Sequence, residues 1–177
     1  MKRGIIIAIT LLIIGSLSAF QEGTINVGGS LSYAATKLNE DADTLTELSF
    51  KPQFGYFVMD NLVGDVIFEL SHLKQGDHGE TLFLLGIGGR FFVDRFYAGA
   101  AFLQEGYRYT FKGSSAYKWS ASYLELKTGH LIPVVDMLYV DLGVNYRFGI
   151  GEYGGDVAGD NEWTQFRFMS GLQFFFK

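Results

Sequence analysis

Leu138-Tyr139-Val140-Asp141-Leu142-Gly143-Val144-Asn145-Tyr146-Arg147-Phe148 alternates almost without a fault. Leu138, Val140, Leu142, Val144, Tyr146 and Phe148 share one parity; Asp141, Gly143, Asn145 and Arg147 share the other. Successive side chains of a strand point to opposite faces, so this period of two marks a β-strand with one apolar and one polar face.

The same period recurs on both sides of that stretch. Downstream, Phe166, Phe168, Leu172, Phe174 and Phe176 oppose Gln165, Arg167, Gly171 and Gln173. Upstream, from about Thr24 to Ala35, Ile25, Val27, Leu31 and Tyr33 oppose Asn26, Gly28, Ser30 and Ser32. A second strand sets Leu48, Phe50, Phe54, Tyr56 and Val58 against Glu47, Ser49, Lys51 and Gln53. A third sets Leu62, Val66, Phe68 and Leu70 against Asp65, Glu69 and Ser71. A fourth sets Phe83, Leu85, Ile87, Phe91 and Val93 against Gly86, Gly88 and Arg90. A fifth sets Tyr97, Leu103, Tyr107, Tyr109 and Phe111 against Ala98, Ala100, Gln104, Arg108 and Thr110; Glu105 breaks that pattern. The sixth, about Lys118 to Val134, opposes Leu124, Leu126 and Ile132 to Glu125 and Lys127. Trp119 and Tyr123 fall on its polar face, and a bulge would repair the register. Pro52 lacks a ladder donor, which predicts a local bend in the second strand.

Eight such segments predict an all-β fold, an eight-stranded antiparallel up-and-down barrel. Volume decides which face is outside. The interior of an eight-stranded barrel is only just wide enough for side chains to fill. The polar face is largely small (Gly28, Ser30, Ser49, Gly55, Gly86, Gly88, Ala98, Ala100, Gly143), whereas the apolar face carries Phe, Tyr and Leu. The barrel is therefore apolar outside and polar inside, the pattern of a transmembrane barrel.

Connections agree. Met59-Asp60-Asn61, Asp94-Arg95 and Val135-Asp136-Met137 are tight turns. Leu38–Asp43, Gln75–Glu80, Gly113–Tyr117 and Gly151–Asn161 read as longer, polar loops. Short turns belong on the periplasmic side, so both chain ends are expected there. Aromatic girdles are expected from Tyr33, Phe68, Tyr107 and Tyr146 at one rim and Phe54, Tyr56, Phe91 and Tyr97 at the other.

The remaining features narrow the class. Lys2 and Arg3 precede the apolar run Ile5 to Ile14 and the small-residue stretch Ser16-Leu17-Ser18-Ala19. Residues 1–19 read as a secretory signal peptide cleaved after Ala19, with Ser18 as the alternative, and 20–177 as the barrel. Cysteine is absent, which excludes disulfides and thiol chemistry. A net charge of −5 argues against a nucleic-acid partner.

Two stretches carry a resemblance. Pro52-Gln53-Phe54-Gly55-Tyr56-Phe57-Val58-Met59-Asp60-Asn61-Leu62 resembles the first periplasmic hairpin of the small outer-membrane barrels of the OmpA transmembrane-domain and OmpX type. Gly171-Leu172-Gln173-Phe174-Phe175-Phe176 resembles the C-terminal signal read by the barrel-assembly machinery, although Lys177 stands where the aromatic usually ends the chain. The resemblance implies a bacterial outer-membrane protein in contact with lipid and lipopolysaccharide. That group includes structural proteins, adhesins, small channels and a few lipid-modifying enzymes, so it leaves the role open.

No candidate chemistry stands out. Gly149-Ile150-Gly151-Glu152-Tyr153-Gly154 has dinucleotide-fingerprint spacing, but a loop follows where the motif needs a helix N-terminus. His72 and His130 take lipid-facing parity and His78 falls in a loop; Ser71, beside His72, points to the opposite face. Glu40, Asp41, Asp43, Asp77, Glu80, Asp156, Asp160 and Glu162 lack calcium-loop spacing and read as solvated loops. Lys37, Lys74, Lys112 and Lys118 fall near the upper rim, where lipopolysaccharide phosphates lie.

The expected working part is a lumen charge network of Lys51, Glu69, Asp65, Arg90, Glu125, Arg147 and Arg167, packed with Arg108, Gln53, Phe102 and Gln173. Counting from the turn at Met59–Asn61 sets Lys51 opposite Glu69; similar counting brings Asp65 near Arg90 and Glu125 near Arg147. The sequence reading is a monomeric, non-enzymatic barrel without cofactor or metal, with a structural or surface-interaction role. A small ion or solute channel and a lipid-modifying enzyme are the alternatives.

Overall fold

The computed structural model describes residues 20–36, 45–75, 78–109, 117–156 and 159–177. The expected signal peptide, residues 1–19, lies outside them, as do Glu40, Asp41, Asp43, Asp77, Lys37 and Lys112.

Eight strands follow one another in chain order: β1 Ile25–Thr36, β2 Leu45–Met59, β3 Leu62–Gln75, β4 His78–Val93, β5 Phe96–Tyr109, β6 Tyr117–Val135, β7 Leu138–Gly155 and β8 Thr164–Phe176. Each pairs antiparallel with the next, and β1 closes on β8 from Ile25↔Phe176 to Leu31↔Ser170. Closure removes the free sheet edge along that stretch, as a barrel in lipid requires.

Tight hairpins set the register at one end. Phe57 pairs with Val63 but Met59 with Leu62, a one-residue shift at the turn. Val93 pairs with Phe96 around Asp94-Arg95, and Val135 with Leu138 around Asp136-Met137. Asn61, Asp94 and Met137 adopt positive φ of 63°, 55° and 71°. Asparagine and aspartate tolerate that conformation, whereas Met137 is held there by the short connection. At the other end the strands run further than the sequence suggests. Gln75 pairs with His78, so His78 begins β4 rather than sitting in a loop, and β7 continues through Gly155. The glycine fingerprint at 149–154 therefore lies on a strand, and no helix follows it among the described residues to hold a phosphate.

Pro52 leaves its mark as a gap. The β2–β3 ladder passes from Phe50↔Leu70 to Gln53↔Ile67, skipping Lys51 and Pro52 without changing register. A missing N–H donor accounts for the gap.

The outer surface is apolar. Leu31, Phe50, Phe54, Tyr56, Ile87, Phe96, Phe166 and Phe168 are all exposed. Water does not sustain a belt of this extent, whereas hydrocarbon does. Asn26, Lys51, Asp65, Glu69, Arg90, Glu125, Asn145 and Arg147 are buried inside.

Strand five corrects the sequence reading. Tyr97, Ala101 and Leu103 are buried in the lumen, and Phe102 faces outward at 44% exposure with Ala98 and Ala100. Tyr97 therefore does not join the girdle, and Phe102 does not fill the lumen. Glu105 no longer breaks a pattern, because it shares the inward parity. The hairpin forces this arrangement. Phe92 points inward, and its ladder partner Tyr97 must share that face. Glycine makes the room. A Cβ on Gly129 would lie 2.5 Å from the Tyr97 hydroxyl, and one on Gly86 would lie 2.3 Å from Leu103 Cδ2. In strand six, Tyr123 stays inside and Trp119 packs against the same luminal cluster. The β6–β7 register does shift between Ser120 and Ser122, yet this does not move Tyr123 outward. Tyr107 also lines the inside of the barrel mouth rather than the outer girdle.

The reversal is directly testable, because the chain has no native cysteine. A thiol introduced by Ala100→Cys is expected to react with a small apolar maleimide in the folded, detergent-solubilised protein. One introduced by Ala101→Cys is expected to stay protected until the barrel is unfolded in urea. Equal reactivity would restore the original face assignment.

Candidate functional site

Three layers fill the lumen. At the tight-turn end is an aromatic floor. Phe57 and Phe92 are fully buried, and Phe175 packs with them. Phe20, just before β1, stacks on Phe175 at 4.3 Å and lies edge-on to Phe92 at 5.0 Å. Asn61 donates its backbone N–H to the Phe20 carbonyl, which ties the N-terminal segment across the floor.

Above the floor, charges interlock across the barrel. Arg90 donates from Nε and Nη2 to Asp65 at 2.7 and 2.8 Å, and from Nη2 to Asn26 at 2.6 Å. Its guanidinium also lies 5.3 Å from the Phe92 ring centroid and 5.4 Å from that of Tyr97. Lys127 reaches Asp65 at 3.4 Å. The Tyr97 hydroxyl and Gln173 both donate to Asp141. One level higher, Lys51 donates to both oxygens of Glu125, at 2.8 and 2.9 Å. Glu125 also accepts from Arg147 and Asn145. Arg147 bridges on to Glu69, which further accepts from Ser49, Ser71 and Arg167. Arg167 ends the chain on Glu47 at 2.7 Å.

The seven expected charges thus occupy the lumen, but partly in other company. Asp65 meets Arg90, and Glu125 is the register partner of Arg147. Lys51 and Glu69 share the inner face, yet Lys51 reaches across to Glu125 while Glu69 takes Arg147 and Arg167. Hairpin counting finds ladder neighbours, whereas long side chains in a narrow tube meet partners from non-adjacent strands. Lys127, Glu47, Asp141, Tyr97 and Glu105 were not singled out. Lys127 and Glu47 had the right parity; Tyr97 and Glu105 were hidden by the reversed reading of β5. The side chain of Arg108 lies outside the described residues.

At the long-loop end the lumen opens into a cavity of about 330 Å³. One wall carries Glu47, Glu69, Arg147 and Arg167, and the other carries Leu82, Leu84, Trp119, Tyr123, Tyr153 and Trp163, with Glu105. Below it, the void between Lys51, Tyr97, Lys127 and Gln173 is about 20 Å³, room for about one water. Among the described residues no group of three or more His, Cys, Asp or Glu could hold a metal ion. His72 lies 3.3 Å from Thr81 on the outer face, and the His130 ring lies tilted against Phe96 at 4.2 Å.

No protein-family model and no curated protein matches the sequence. Solved structures do. Neisserial surface protein A (NspA) superposes with a TM-score of 0.59 at 17% identity, covering 86% of this chain and 96% of that one. The N-terminal β-barrel domain of Pseudomonas aeruginosa OprF gives 0.55 at 12%, covering 89% and 100%. The outer membrane protein AlkL in lipid bilayers gives 0.59 at 13%, covering 89% and 92%. The chain therefore has the fold of the small OmpA/OmpX-like transmembrane barrels.

Proposed function

We propose that this chain is a non-enzymatic, monomeric integral protein of the bacterial outer membrane, closed to solutes and acting at the cell surface through its loop-end mouth. Tight turns and both chain ends face the periplasm in this reading, because short connections belong on that side. The apolar belt contacts the lipid. Exposed Lys74, near the loop end, meets lipopolysaccharide phosphate. Phe174 and Phe176, outward at the end of β8, present the barrel-assembly machinery with its aromatic signal.

One observation carries the closed reading: buried ion pairs cross the lumen above an aromatic floor. Arg90 and Arg147 are among the largest fully buried side chains in the protein. An ion moving through would have to break bidentate pairs that have little water to replace them. The purified protein in planar bilayers is therefore expected to show no steady single-channel current. Discrete openings that vanish on Arg147→Leu would make it a channel instead. Lipid A is expected to have the same mass spectrum with and without the protein; a protein-dependent mass shift would make it a lipid-modifying enzyme.

A further inference from the structure

Three carboxylates and two guanidinium groups line the mouth cavity, and Glu105 is the carboxylate left over. Arg167 serves Glu47 and Glu69; Arg147 serves Glu69 and the deeper Glu125. Glu105 is only 9% exposed, and among the described residues it makes no hydrogen bond or ion pair. Its carboxylate therefore faces the cavity, largely withdrawn from bulk water and without a protein counter-charge in contact. Its neighbours are aromatic. Glu105 pairs in the ladder with Ala121, so the inward residues diagonal to it on β6 are Trp119 and Tyr123. Tyr107 stacks on Trp119 at 4.9 Å and Tyr153 stands edge-on to Trp119 at 5.5 Å. Tyr123 stands edge-on to Trp163 at 5.3 Å.

We propose that the mouth cavity binds a small organic cation, an alkylammonium or quaternary ammonium group, with Glu105 as its counter-ion and Trp119, Tyr123 and Trp163 as its π faces. Aromatic rings attract cations through their negative faces, most strongly where water is excluded. The cavity volume of about 330 Å³ lies in the range of small-ligand sites. Hard divalent metals fit poorly, because they take six or more oxygens and Glu105 is the one uncommitted carboxylate here. Anions fit poorly too, because both arginines are already paired. A neutral ligand would leave Glu105 as it is. Access from outside the cell rests on the topology proposed above; binding to the purified barrel does not.

The protein carries its own reporter, because both of its tryptophans line the cavity. The full chain, refolded in detergent at low salt, would be titrated with choline and with 3,3-dimethylbutanol, its uncharged carbon isostere. Choline is expected to change tryptophan fluorescence saturably, with the neutral isostere about tenfold weaker. Glu105→Gln is expected to weaken choline to the level of the isostere. Equal affinity for the two ligands, or no saturable response to choline, would overturn the site. So would an unchanged choline affinity in a folded Glu105→Gln variant; the isostere comparison stands on the parent chain alone if that variant does not fold. A barrel that shows no current and binds no choline loses only the cation site. One that binds choline and conducts loses only the closed reading.

Discussion

Replacing Glu125 by leucine is expected to lower the unfolding free energy by about 3–5 kcal/mol, the cost of breaking a buried ion pair by removing one partner. Glu125 is fully buried and accepts from Lys51, Arg147 and Asn145 at once. Its loss leaves the Lys51 ammonium with no carboxylate at ion-pair distance, while Arg147 keeps Glu69. Leucine fills similar space, so the cost reports the uncompensated charge rather than a cavity. Equilibrium urea unfolding in lipid vesicles measures it. A loss under about 1 kcal/mol would mean that Lys51 reaches water, and that the tier is not the barrier to ions described above.

The second large effect lies at the floor. Phe57→Ala is expected to cost about 3–5 kcal/mol, as for other fully buried phenylalanines. Its ring touches Phe20, Phe92 and Phe175 at centroid distances of 5.3, 5.5 and 6.1 Å. Strand parity keeps neighbouring side chains from following it into the space. The same unfolding measurement tests it, and a cost near zero would mean that Phe57 faces lipid. A truncated floor still sits beneath the Asp65–Arg90 pair, so the variant is expected to remain non-conducting in planar bilayers.

Closed topology, strand count and most face assignments were legible in the chain, because membrane and lumen impose opposite chemistry on alternate residues. Strand β7 shows this most clearly: Asp141, Asn145 and Arg147 point in, and Leu142 and Tyr146 point out. Strand β5 does not declare its faces by itself, because large side chains, Tyr97 and Leu103, point into the lumen while Ala98 and Ala100 point out. Its inward set is large because the facing set is small. Gly129 and Gly143 make space for Tyr97, and Gly86 makes space for Leu103. The hairpin already held the correction, since a two-residue turn at Asp94-Arg95 pairs Phe92 with Tyr97. Trp119 and Tyr123 looked like register errors for the same reason, although they form one wall of the mouth.

The sequence by itself determined a barrel with an apolar outside and a charged inside, because period two is a local property that each strand states alone. It also determined that Lys51, Glu69, Asp65, Arg90, Glu125, Arg147 and Arg167 share that inside. Only the tertiary structure decided who pairs with whom. Lys51 reaches Glu125 across 74 residues of sequence, and Arg167 reaches Glu69 across 98, from strands that are not neighbours in the sheet. Such contacts depend on the diameter of the closed tube and the reach of each side chain, neither of which is written in any single strand. The leftover Glu105, and the aromatic cavity beside it, become visible only once every other charge has been assigned a partner.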